Sequence, residues 1–237
     1  MSEQTKEEVL KTMFTAGAHF GYSKTRRHPS TAAYIFATKN KNDIIDLEKT
    51  EALLMKAEAF VKELAASGKN LLFVGVKPEA KKAVYEGALH VDMPYVIERW
   101  VGGAITNFPE IKKRIAKLED LRDKKEKGGL DMYTKKERLL IDEDIARMSK
   151  NFSGLVSLKK TPDALFVIDP KREHIAVAEA KHAGIPVIAL MNTDCNVKGV
   201  EYPIVANDAS ISSITHFVNA IAKAYKDGKM AVPEKAA

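Results

Sequence analysis

Apolar and polar positions follow two rhythms along this chain. Three short runs hold almost nothing polar: LLFVGV (71–76), ALFVID (164–169) and IPVIALM (185–191). Unbroken apolar runs of this length predict strands buried on both faces, as in a parallel sheet. PYVIERW (94–100) and YIFATKN (34–40) read as a fourth and a fifth strand. Between the runs the spacing becomes helical. Over 47–69, Leu47, Leu54, Ala57, Phe60, Val61 and Leu64 share one face, and Gly68 supplies a stop. Further helices are predicted over 78–90, 174–184 and 210–225, the last capped by Asn207 or Asp208. Strands alternating with helices of this length indicate crossover units and a doubly wound α/β sheet.

The segment from Pro109 to Phe152 breaks the alternation, because it offers no strand. Ile111, Ile115, Leu118 and Leu121 form one narrow apolar seam, and Ile141, Ile145, Met148 and Phe152 form a second. Gly128-Gly129 separates them, and Thr134-x-x-Glu137 is a capping box for the second helix. The expectation is an antiparallel two-helix arm at 109–152, inserted into a discontinuous α/β body of 1–108 and 153–226. A flexible polar tail is expected at 227–237.

Composition adds bounds to this picture. The 237 residues suit one large domain with an appendage, and 45% hydrophobic residues can fill its core. No apolar run reaches the length of a membrane span, and MSEQTKEEVL lacks the features of a signal peptide. The single cysteine, Cys195, suits a reducing cytosol. The net charge of +6 favours a polyanionic partner.

Catalytic signatures are missing. GVKPEA (75–80) has the place of a dinucleotide loop but one glycine where three are needed, so it reads as a plain strand-to-helix turn. Cys195 has no histidine near it in sequence, and the six histidines lack zinc-site spacing. Cations, in contrast, are clustered. Lys24, Arg26, Arg27 and His28 fall within five residues. Lys39 and Lys41 follow, then Lys112, Lys113, Arg114 and Lys117 on the arm, and Lys171 with Arg172 beyond a strand end. Such groups suit phosphate oxygens.

Several stretches resemble the bacterial small-subunit ribosomal protein S-two family. They are AGAHFGY (16–22), YIFATKNKNDIIDLEKT (34–50), LLFVGVK, RWVGGAITNF (99–108), PDALFVIDPKREHIAVAEAKHAGIPVIALMNT (162–193) and YPIVANDAS (202–210). They follow the family's order over most of the chain. The resemblance implies a mainly parallel Rossmann- or flavodoxin-like sheet with a projecting antiparallel coiled-coil hairpin. It implies a cytoplasmic, ribosome-bound structural protein that binds small-subunit rRNA, bridges head and body, and supports assembly and translation. Neighbouring small-subunit proteins are implied as partners and, in some bacteria, ribosomal protein S-one. No catalysis, cofactor, small-molecule substrate or membrane is implied. Arg99, Trp100 and Asn107, where the sheet passes into the arm, join the cations as RNA-binding residues.

The chain also departs from the family pattern. Tyr22 replaces a histidine, and Thr25-Arg-Arg-His-Pro-Ser-Thr31 replaces a run with an aromatic residue. Asn192 and Asn196 stand where the family has aspartates. Amides are weaker ligands than carboxylates for a hard cation, so no metal is expected beside His19 and Asp208. The competing reading is an α/β enzyme acting on a nucleotide or sugar phosphate.

Overall fold

The structure is a computed structural model that describes residues 3–130 and 132–231. Its centre is a five-stranded sheet with every neighbouring pair parallel, in the order β5-β4-β6-β7-β8. The strands are β4 (Leu71–Val74), β5 (Tyr95–Val96), β6 (Ala164–Ile168), β7 (Val187–Met191) and β8 (Tyr202–Val205). The three apolar runs form the middle of this sheet, and alternate side chains feed opposite cores. Leu71, Phe73, Phe166, Ile168, Ile188 and Leu190 face one way, against α2 (Leu47–Ala66), α3 (Pro78–His90) and α7 (Ile211–Met230). Leu72, Val74, Leu165, Val167, Val187 and Ala189 face the other way, against α4 (Phe108–Glu126) and α6 (His174–His182).

Two strands differ from expectation. YIFATKN does not enter the parallel sheet. Its residues form β2 (Ile35–Lys39), which pairs with β3 (Asn42–Ile45) in an antiparallel sheet of order β1-β3-β2, where β1 is Phe20–Ser23. The reason is local: Asn40 and Lys41 both adopt positive φ, 51° and 65°, which closes a two-residue hairpin. The fifth parallel strand is YPIV instead. PYVIERW contributes only Tyr95 and Val96, at the sheet edge.

The last helix also corrects two expectations. Asp208 turns inward, so neither it nor Asn207 is the N-cap; Ser210 occupies that position. The helix continues to Met230, past the start of the expected tail. Gly228 is buried there, and a Cβ on it would lie 2.4 Å from the carbonyl oxygen of Lys62. Residues 232–237 of that tail lie outside the described residues.

Between β5 and β6 the chain is helical, as the spacing predicts. α4 and α5 (Lys135–Phe152) lie against each other, with Lys125 paired to Asp142 at 2.7 Å and Arg122 donating to Ser149 at 2.9 Å. Thr134 and Glu137 form the capping box. The seam is uneven, however. Phe108, Ile111, Ile115 and Leu118 belong to the second core, with Trp100, Phe152 and Leu155. The base of α4 is therefore part of the body, and a boundary at 108/109 runs through packed apolar side chains.

Candidate nucleic-acid interface

The sheet order reverses between β4 and β6, and such switch points are where α/β sheets open a ligand crevice beyond their C-terminal ends. Here Lys77, from the GVKPEA turn, is buried in that position. Its ammonium lies 3.1 Å from Asp169 Oδ2, 3.2 Å from Asp208 Oδ2 and 3.4 Å from the Tyr22 hydroxyl. Asp169 reaches it from a left-handed backbone, φ 62°. Burial pushes the Lys77 ammonium down, but Asp208 and Asp169 outweigh it and hold it above an ordinary lysine. Burial pushes Asp208 up to about 6 despite the pull of Lys77. Asn192 spends its amide N–H on Asp208 at 3.1 Å. A divalent cation does not fit this set. The position between the carboxylates is filled by an ammonium, and among the described residues no group of three His, Cys, Asp or Glu could hold a metal.

Around this closed crevice the cations gather. The backbone N–H of Lys24 donates to the Lys41 carbonyl at 2.8 Å. That bond holds the 24–28 segment beside the tip of the β2–β3 hairpin, so Lys24, Arg26, Lys39 and Lys41 share one exposed region. Arg26 lies over the Tyr22 ring, 5.8 Å from its centroid. The backbone N–H of His28 donates to the Thr193 carbonyl at 2.8 Å, which ties the segment to the loop after β7. Lys171, on the neighbouring loop, pairs with Asp194 at 2.9 Å, and Arg172 is exposed beside it.

Two expected RNA-binding side chains are otherwise engaged. Arg27 forms a two-pronged pair with the fully buried carboxylate of Asp43, Nε to Oδ2 at 2.8 Å, and also donates to Thr38. Its hydrogen bonds hold the Asp43 carboxyl below the usual range. Trp100 is buried, and its indole N–H goes to Glu179. The backbone N–H groups of Gly103, Ile105 and Thr106 converge on the same carboxylate, at 2.8, 3.1 and 3.3 Å. The Gly-Gly turn is thus an anion-binding loop whose anion is the protein's own glutamate. Burial pushes the Glu179 carboxyl up, but these donors outweigh it and hold it below its ordinary value.

On α4, Lys112, Arg114 and Lys117 are exposed, while Lys113 pairs with Glu110 at 2.6 Å. Arg99 and Asn107 are exposed at the shoulder. Arg114 and Lys117 line a groove of about 630 Å³ with Arg147 and Asn151 of α5. Sequence reasoning did not single out those last two, and Arg147 pairs with Asp144, which lines the same groove.

Comparison with known proteins identifies the family. The family model described as ribosomal protein S2 matches residues 13–228. The small ribosomal subunit protein uS2 of Sulfurimonas denitrificans is 41% identical over 93% of this chain and 85% of its own length. Its counterparts in Mycobacteroides abscessus and Bdellovibrio bacteriovorus are 39% and 42% identical, over 94% and 93% of this chain and 80% and 70% of their own. The chain belongs to the ribosomal protein S2 family.

Proposed function

We propose that this chain, a structural and non-catalytic component of the small ribosomal subunit, grips small-subunit rRNA with two basic surfaces. The first is the hairpin-and-loop surface of Lys24, Arg26, Lys39 and Lys41, with His28, Lys171 and Arg172 at its border. The second is the α4 stripe of Lys112, Lys113, Arg114 and Lys117, with Arg99 and Asn107 at its root. The observation that carries this reading is the Lys24–Lys41 backbone bond, which ties the basic segment after β1 to the tip of the short-turned β2–β3 hairpin. Rigid display of cations at fixed spacing suits a folded phosphate backbone. Arg27 and Trp100 serve instead to hold the two surfaces in place.

We also infer that α4 and α5 form a projecting coiled-coil arm, supported by the Lys125–Asp142 and Arg122–Ser149 contacts. Two surfaces on one body suit a protein that bridges head and body and enters during subunit assembly. The exposed rings of Phe14, Phe20 and Phe36 suit contacts with neighbouring ribosomal proteins, ribosomal protein S-one included. The compartment in this reading is a bacterial cytoplasm. Among the described residues no helix is long and apolar enough to cross a membrane.

The test is binding to small subunits depleted of this protein, at several salt concentrations. Replacing Arg26 and Lys41 with alanine should weaken binding and make its salt dependence shallower by about two ions, at roughly 0.9 per phosphate contact in log–log slope. An unchanged slope with unchanged affinity would remove the hairpin from the interface.

A further inference from the structure

We propose that the cleft between α6 and the loop after β7 receives an unpaired base extruded from the rRNA, an inference that rests on the RNA-binding reading above. The cleft measures about 470 Å³, within the roughly 300–1,000 Å³ of ligand pockets. It lies beyond the C-terminal ends of β6 and β7, beside the crevice that Lys77 closes. Its walls are mainly apolar, with Pro170 on one side, Val177 on α6 and Val200 opposite. Cys195 adds a buried thiol whose pKa burial pushes up, so it stays neutral and serves as wall rather than nucleophile. A phosphate gains little from such walls, whereas the π-face of a base gains from them.

The rim supplies what a nucleotide needs beyond its base. Two imidazoles, His28 and His174, line the opening, and histidine rings are among the side chains on which unstacked RNA bases lie. The His28 ring is fixed in advance: its Nδ1 accepts the Ser30 backbone N–H at 3.2 Å and contacts the Ser30 hydroxyl at 2.8 Å. Lys171 neutralises Asp194 at 2.9 Å. Lys181 also lines the rim, with no carboxylate partner among the described residues, and is placed for a flanking phosphate. The cleft is continuous with the basic surface, because His28 belongs to the same segment as Lys24 and Arg26. A base entering here would come from the strand that this surface holds.

The experiment fills the cleft without touching the core. Ala178 is exposed on its α6 wall, and a Cβ on Gly199 meets no atom within 4 Å. Ala178→Phe and Gly199→Leu should each leave thermal melting unchanged and weaken binding to depleted subunits about tenfold. The salt slope should not change, since no charge is removed. Base probing with dimethyl sulfate and a carbodiimide should show one unpaired base that wild type protects and that stays reactive under saturating Ala178→Phe. Lys181→Gln should weaken binding and lower the slope by about one ion. Equal affinity and an identical protection pattern for the filled variants overturn the inference and leave the RNA-binding reading standing. Protection of riboses alone in hydroxyl-radical probing, with no base protected by wild type, also overturns it. So does binding of free adenosine monophosphate with no loss of subunit affinity in Ala178→Phe, which would make the cleft a small-molecule site. Failure of wild type to bind depleted subunits at all removes both readings together.

Discussion

Trp100 donates its indole N–H to Glu179 at 3.1 Å, so helix α6 and the turn that launches α4 share one buried anion. Four more donors from Gly103, Ile105 and Thr106 reach the same carboxylate. Removing it leaves several buried donors without partners, each worth about 1–3 kcal/mol when orphaned. Glu179→Ala should therefore lower unfolding stability by about 3 kcal/mol or more, read by urea melts at pH 7. The folded carboxyl titrates below its unfolded value, so its contribution is fully present above about pH 4.3 and is lost as pH falls through the lower folded value. The gap between wild type and variant should narrow in acid. A constant gap down to pH 3 would mean that packing, not charge, sets the loss.

Lys77 faces two carboxylates in the switch-point crevice. Lys77→Met leaves Asp169 and Asp208 without their cation, and breaking a buried pair this way costs about 3–5 kcal/mol. Asp208 already titrates near 6 when folded, above its unfolded value. The folded state thus holds a proton that the unfolded state has released between about pH 4 and 6, and stability falls as pH rises through that window. Loss of Lys77 should steepen this fall. The variant should be less stable at pH 7.5 than at pH 5, and adding Asp208→Asn should recover part of the loss. Indifference to pH would show that Asp208 is solvated once Lys77 is gone.

Arg26 and Arg27 are neighbours with opposite expected effects. Arg27→Ala strands the buried Asp43 carboxylate and should cost about 2–4 kcal/mol. Arg26→Ala removes an exposed charge and should change stability by less than about 0.5 kcal/mol while weakening RNA binding. Thermal melts of the two single variants separate them; equal losses would contradict the geometry.

The α4–α5 pair should tolerate shortening only from its outer end. A deletion of 109–152 removes Ile111, Ile115 and Leu118 from the second core and should prevent cooperative folding. A deletion of 123–143 with a short glycine linker keeps those side chains and should melt cooperatively, because closing the shorter loop costs little. Circular dichroism melts of both forms decide; a well-folded 109–152 deletion would show that the body closes without α4.

Gly228→Ala should destabilise by about 1–3 kcal/mol, because its Cβ would press on Lys62 where α7 meets α2. A neutral effect would restore the flexible tail that begins at 227.

The central sheet was legible because its inner strands are short, apolar on both faces and separated by helical stretches, a combination that fits buried parallel strands better than helices. YIFATKN misled because a half-exposed hairpin strand and a parallel strand share a composition; only the positive φ at Asn40 and Lys41 separates them. The cation clusters were visible as charge. The partners of Arg27, Trp100 and Lys77 were not, because Asp43, Glu179, Asp169 and Asp208 lie 16, 79, 92 and 131 residues away in sequence. Buried ion pairs of that separation leave no local pattern.

The Glu179 loop has a mechanical consequence. Helix α4 is 19 residues long, or about 28 Å at 1.5 Å per residue, so a tilt of about 10° at its root displaces its far end by about 5 Å. That error exceeds the tolerance of a hydrogen bond. The carboxylate on α6, together with Ile111, Ile115 and Leu118 in the second core, therefore sets the direction of the helix. Mutations at Glu179 should misdirect the Lys112–Lys117 stripe as well as lower stability.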